Sequence, residues 1–395
     1  MHPPDADVVL VRHGDLGVKS EQVRRRMEAR LAENLRAMLS AREVGGDVEV
    51  RRNRLFVHTD APEAATAAAA DTFGVVAASP AVTVDPTLDA IEDALAAATE
   101  ANFDGGSFAV DARRAGPADA HPFASTDIES DGGAAVWNAV ESLGYDPVVD
   151  LEDPDFTLYV ECRADEAYVF LERRDGPGGL PLGTQRPVVA LVSGGIDSPV
   201  AAWKLMRRGC PVIPVYVDLG DYGGPDHRAR ARATVERLSD YAPGEEMAFH
   251  VVDAGDVVAD LADAMSELRM LSLRRFMLAA AEAVAEDENA VGIVTGEAIG
   301  QKSSQTAANV AVTDAAATLP VHRPNLTLDK AEITEAARAI GTFQDSTVDT
   351  GCNRVAPELP ETNASLETLR AAEPGDLFER ARACAAERSV VPTER

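Results

Sequence analysis

A chain of 395 residues with 46% hydrophobic and 26% charged residues has the bulk for two or three packed domains. It has no run of eighteen apolar residues to cross a membrane. Its formal net charge of −29 argues at first against a polyanionic partner. The source of that charge weakens the exclusion. Four lysines (Lys19, Lys204, Lys302, Lys330), many arginines, abundant acids and few aromatic residues are a composition adapted to molar salt, as in a halophile, so the charge reads as habitat rather than partner.

The first seven residues, Met-His-Pro-Pro-Asp-Ala-Asp, lack the basic and apolar regions of a signal peptide, and a cytoplasmic location is expected. Cys162, Cys210, Cys352 and Cys384 are scattered without a CxxC, which gives little support to a zinc or locally clustered iron–sulfur site. No metal-ligating set is assigned. The cysteines are expected to be free thiols, with Cys162 in the core and Cys210 packed.

In chain order, a strand is expected over Val8–Arg12, a helix over Ser20–Ala41, two strands between Val48 and Val57, and a helix near Ala64–Ala70. This is the pattern of a small ferredoxin-like α+β unit. Basic residues outnumber acidic ones between Val11 and Asp60, with Arg24 and Arg25 in that run, whereas Ala61–Ala112 has no Lys or Arg. A second segment contains a helix over Leu88–Ala98, a strand over Ser107–Arg113, a helix over Thr126–Leu143, and a hairpin from Phe156–Cys162 and Ala167–Glu172. A Gly- and Pro-rich connector beginning at Arg173 marks a boundary. Beyond it the strands Val188–Val192, Val212–Val217, Met247–Val252 and Ala290–Thr295 alternate with helices, which indicates a doubly wound parallel sheet.

Between the first of these strands and a helix from Pro199 to Gly209 lies Ser193-Gly194-Gly195-Ile196-Asp197-Ser198. A glycine-rich turn from strand to helix places backbone N–H groups and a positive dipole end around one concavity suited to a phosphate chain. The glycines allow close approach, the serines add hydroxyls, and Asp197 is placed to hold magnesium or orient phosphates. No GK[ST] follows, so this is not a Walker loop. The sequence SGGxDS resembles the PP-loop of ATP pyrophosphatases, which split ATP into AMP and pyrophosphate to adenylate an oxygen. Ligand groups in such a sheet gather beyond the carboxyl ends of the strands. Leu191-Val192, Tyr216-Val217, Thr295-Gly296-Glu297 and the polar run Gln301–Thr306 fall there. Arg274-Arg275, on a helix over Leu268–Ala285, are either phosphate contacts or ordinary surface arginines.

SGGIDSPVAAWKLMRRGC, GLPLGTQ, TGEAIGQKSSQT and HRPNLTLDKAEIT together resemble the tRNA 4-thiouridine synthase (tRNA sulfurtransferase) family. RHGDLGVKS, FAVDARRAG and HPFASTDIE match its ferredoxin-like and THUMP domains. The resemblance covers nearly the whole chain and implies an α/β multidomain protein: a ferredoxin-like domain (1–61), a THUMP domain (62–174) and a Rossmann-like PP-loop ATP pyrophosphatase domain (175–395). By position, Leu191, Val192, Tyr216, Val217, Arg274, Gly296 and Gln305 match residues that contact ATP. Ser193, Gly194, Gly195, Asp197 and Ser198 would hold its phosphates, with Mg²⁺. Arg24, Arg25, Arg113 and Arg114 are candidates for tRNA contacts, and Cys352 matches the cysteine used in sulfur relay.

The implied reaction is adenylation of uridine 8 at O4, release of pyrophosphate, then sulfur transfer with loss of AMP. No rhodanese domain is expected, so the sulfur source is open between a separate rhodanese-like protein, a cysteine desulfurase and sulfide. A homodimer is an expectation of the family alone. Sulfur delivery for the thiazole of thiamine, or another PP-loop adenylating synthetase, are the alternative readings.

Overall fold

Alternation with period two organises the first strand, β1 (Val8–His13). Val9 and Val11 pack on Leu31, Leu35 and Met38 of α1 (Glu21–Ala41) and on Ala65 and Ala68 of α2 (Pro62–Ala70). Val8 and Leu10 turn to the other face and meet Phe56, Tyr168 and Phe170. The computed structural model describes residues 1–14, 20–51, 54–117, 119–223, 225–344 and 355–393. They form two compact units, Met1–Leu180 and Pro181–Arg395.

In the first unit, β2 (Asp47–Arg51), β3 (Arg54–His58) and β4 (Val75–Val84) complete a βαββαβ pattern with β1, α1 and α2. There follow α3 (Leu88–Asn102), β5 (Ser107–Arg114), α4 (Ser125–Ser142), β6 (Val148–Val149), β7 (Phe156–Cys162), β8 (Ala167–Phe170) and β9 (Arg174–Asp175). All nine strands join one sheet in the order β2-β3-β1-β4-β8-β7-β5-β6, with β9 pairing β4. Strand β4 makes the join, antiparallel to β1 on one side (Leu10 opposite Ser79) and to β8 on the other (Val82 opposite Val169). Sequence analysis did not identify β4. Its alanines are weak strand formers, and a proline such as Pro80 normally argues for an edge.

The second unit holds β10 (Val188–Leu191), α5 (Asp197–Met206), β11 (Val212–Asp218), α6 (Pro225–Ser239), β12 (Phe249–Asp253), α7 (Gly255–Ala264) and α8 (Arg269–Asp287). It continues with β13 (Ile293–Val294), α9 (Ala307–Asp314), β14 (Val321–His322), α10 (Lys330–Ala339), α11 (Leu366–Ala372), α12 (Leu377–Ala386) and β15 (Ser389–Val391). The sheet order is β14-β13-β10-β11-β12-β15, parallel throughout except for β15. Chain progression runs β10, β11, β12 in one direction and β13, β14 in the other. The crevice of the reversal therefore opens between β10 and β13. Helix α8 buries Leu271, Phe276, Ala280 and Val284 against Val189, Val215 and Val252 of the sheet, which places its flank beside that crevice. Burying a leucine- or phenylalanine-sized side chain stabilises by about 1.5–3 kcal/mol, so α8 is anchored firmly.

Candidate active site

At the carboxyl ends of β10, β11 and β13 the second unit forms a half-open cavity of about 500 Å³. Leu191, Val192, Ser193, Gly195, Asp197, Ser198, Tyr216, Val217, Arg274, Gly296 and Gln305 all line it. Among the nucleotide-site residues named from sequence, Gly194 does not. It backs onto α6, where an added Cβ would lie 3.2 Å from the Arg230 Cβ and 3.4 Å from the His227 carbonyl oxygen. The cavity has two characters. Leu219, Met270, Leu273 and Met277 form an apolar wall with Tyr216, while the Ser193–Ser198 loop, Glu297 and Gln305 supply polar groups.

The loop closes on itself. Ser193 N–H donates to Ser198 Oγ (2.9 Å), and the two hydroxyls lie 3.2 Å apart. Its far side rests against Gly296, where a Cβ would stand 2.6 Å from both the Asp197 carbonyl carbon and the Ser198 nitrogen. Only glycine permits that approach. The buried Asn325 donates to the Asp197 carbonyl at 2.8 Å and accepts from Lys204 Nζ at 3.0 Å, holding the loop's base.

The Asp197 carboxylate accepts from Lys330 Nζ at 3.0 and 3.2 Å. Lys330 is the first residue of α10, behind the N-cap Asp329. A cation there opposes the helix dipole, and its pairing with Asp197 offsets that. Sequence analysis missed Lys330; a lysine at a helix N-terminus was the signal that could have found it.

Glu297, which the sequence places among the strand-end groups, was given no role there. This buried carboxylate pairs with Arg274 and accepts from Arg323 Nε (2.8 Å) and Thr295 Oγ1 (3.0 Å). Burial opposes ionisation, but the two arginines and the hydrogen bonds prevail and hold the carboxyl below its usual range. Arg275 is corrected on both readings, since it neither lines the cavity nor lies at the surface. It is fully buried, in a two-pronged pair with Glu373 (2.9 and 3.0 Å), and donates to the Val312 carbonyl.

Cys352 and its neighbour Arg354 lie outside the described residues. Cys162 is buried, whereas Cys210 and Cys384 are half-buried. Among the described residues no group of three or more His, Cys, Asp or Glu is arranged to hold a metal ion. Nor is any helix of the described residues long and apolar enough to cross a membrane.

The first unit carries its own concentration of cations. Glu161 accepts from Arg54 Nη2 (2.5 Å) and from Arg163 Nε and Nη2 (2.9 and 2.8 Å), with Arg12 at 3.9 Å. Arg51 and Arg163 lie over the Phe56 ring, Arg12 over Phe170, and Arg173 over Tyr159 at 3.9 Å. Burial, with Arg54 close by, pushes Arg12 down to about 10. Arg113 and Arg114 stand at the end of β5 and line a cavity of about 420 Å³ with His121 and Ser125. Arg24 is half-buried near Glu28, while Arg25 is exposed and paired with Glu21.

Residues 183–376 match the family described as Thiamine biosynthesis protein (ThiI). Residues 8–79 match the ThiI ferredoxin-like domain, and 86–172 the THUMP domain. The chain is 62% identical to a "Probable tRNA sulfurtransferase" of Halobacterium salinarum over 99% of each chain. It is 40% identical to the protein of the same name in Methanosarcina acetivorans, over 92% of this chain and 88% of that one. Its structure resembles that of a 4-thiouridine synthetase in an RNA complex with bound ATP (TM-score 0.85, 28% identity, 99% of this chain and 100% of that one).

Proposed function

We propose, since the chain belongs to the ThiI family of tRNA sulfurtransferases, that it converts uridine 8 of tRNA to 4-thiouridine at the expense of ATP. The observation that carries this reading is the convergence of the Ser193–Ser198 loop, Gly296, Arg274 and Gln305 on one cavity at the sheet's reversal point. The apolar wall by Tyr216 and Leu191 suits a purine ring. The loop and the N-terminus of α5 suit the phosphates.

ATP supplies the adenylyl group that turns uridine O4 into a leaving group. Arg274 stabilises the negative charge that grows at the α-phosphate, and the loop fixes the pyrophosphate end. Asp197 is the loop's carboxylate, and Lys330, paired with it and half-exposed, stands within reach of the phosphates. A magnesium ion would bind the phosphates with Asp197 as its protein contact. A sulfur nucleophile then attacks C4 and AMP departs with the former O4. We assign delivery of that sulfur to Cys352.

The tRNA is assigned to the first unit. In a chain of net charge −29, a set of arginines sharing chiefly Glu161 is a place for a polyanion. Arg113 and Arg114 extend it, and Arg24 and Arg25 are kept as further contacts. Thiazole synthesis stands as a second reading, supported by the description of the matching family. The proposal is tested by pyrophosphate release in molar KCl with unmodified tRNA. Release that requires tRNA, and falls at least about a hundredfold in Asp197→Ala, supports it. Release at equal rates without tRNA contradicts it.

A further inference from the structure

Arg274 is held by two neighbours within the cavity wall. Glu297 takes one edge of its guanidinium. With the Gln305 amide turned to satisfy both its groups, the amide oxygen accepts from Arg274 Nη2 at 3.2 Å while the nitrogen donates to the Ala298 carbonyl. Glu297 cannot swing with the arginine, because its second oxygen is engaged by Arg323 and by the Thr295 hydroxyl. Arg323 is itself tied to Asp314 at 2.5 Å. The carboxylate thus bridges a side chain from α8 to one that follows β14, across the mouth of β13.

Charge points the same way. Glu297 is 8% exposed, and a carboxylate so buried needs compensation. It has two arginines, so neither is fully neutralised by it. Asp314, which answers Arg323, is 44% exposed on its side chain and screened by solvent. Positive charge therefore persists at Arg274, in a fixed direction. That is what preorganised electrostatic catalysis requires.

We infer that Glu297 is a positioning residue that acts through Arg274, fixing its guanidinium against the cavity so that it meets charge developing on the α-phosphate of the transferred adenylyl group. The inference rests on the nucleotide reading above. Glu297→Gln preserves volume and leaves the Arg274 charge in place, but turns an N–H donor or a neutral oxygen toward it. Ground-state attraction for ATP survives and orientation is lost, so the effect falls on turnover rather than affinity.

The test is steady-state pyrophosphate release from ATP with saturating tRNA in molar KCl. Glu297→Gln is expected to lower kcat at least about thirtyfold with KM for ATP within about threefold. In an Arg274→Ala background the same change is expected to cost nothing further. Thr295→Val, which removes one bond to Glu297 with little change of volume, is expected to lower kcat by a few fold at constant KM. It also serves if Glu297→Gln fails to fold. Multiplying losses in the double variant, or a KM effect larger than the kcat effect, overturn the inference. If Arg274→Ala is fully active while Asp197→Ala is dead, the positioning role falls and the nucleotide reading stands. If Asp197→Ala is also active, both fall.

Discussion

Single residues at the loop carry strict steric and electrostatic demands. Gly296→Ala places a methyl 2.6 Å from the Asp197–Ser198 peptide, and backbone on backbone cannot yield cheaply. We expect pyrophosphate release to drop at least about tenfold, with a thermal midpoint shift of only a few degrees; unchanged turnover would contradict the tight contact. Lys330 is 58% exposed on its side chain, so Lys330→Met should fold normally. Its loss leaves Asp197 without this cation. Turnover is expected to fall at least about tenfold while the melting curve is retained, as read by the same assay. The loop and its immediate neighbours were legible because strand, glycine turn and helix are contiguous in sequence. Lys330 and the role of Glu297 were not, because the partners Asp197 and Arg323 are supplied by distant segments. Arg275 misled for the same reason: its burying partner, Glu373, lies 98 positions away.

At the scale of elements, α10 presents Lys330 to the loop and begins with a capping box. Asp329 accepts from the N–H groups of Ala331 and Glu332, and the Glu332 side chain accepts from the Asp329 N–H. Asp329→Ala should cost about 1 kcal/mol and fray the first turn. Hydrogen exchange of the α10 amides is expected to quicken while α5 stays protected; equal protection in both would count against it. The alternating strands of the second unit were readable as near-continuous apolar runs, the mark of a parallel sheet covered on both faces. Short elements were not. β14 and β15 hold two and three residues, too few for any period to show. In the first unit β4 escaped because Ala77, Ala78, Pro80 and Ala81 carry little strand preference. Its place at the centre is set by pairing with β1 and β8.

Across the whole molecule, charge and protonation set the working conditions. At molar salt the screening length falls to about 3 Å, which quiets the self-repulsion of a chain carrying −29. Dilution to about 0.1 M KCl should therefore lower the thermal midpoint. Two histidines make stability depend on pH. Burial, with Arg388 beside His250 and Arg54 and Arg24 beside His13, holds both rings below the ordinary value. The Arg388 Nε donates to His250 Nδ1 at 3.1 Å, a bond that needs the neutral ring. The unfolded chain then binds more protons as pH drops below about 6.5, and stability falls with it. Scans at pH 7.5 and 5.5 in constant KCl should show a lower midpoint at the acid value, with a smaller drop in His250→Gln.

The central claim joins the nucleotide cavity to the thiolation of tRNA. It is met most directly by incubating unmodified tRNA with ATP, Mg²⁺ and sulfide at high KCl and measuring 4-thiouridine by nucleoside mass spectrometry, with Asp197→Ala alongside. The account predicts 4-thiouridine at position 8 with the wild-type chain and none with the variant. Equal product from both, or neither product nor tRNA-dependent pyrophosphate release from folded wild-type protein, would contradict it.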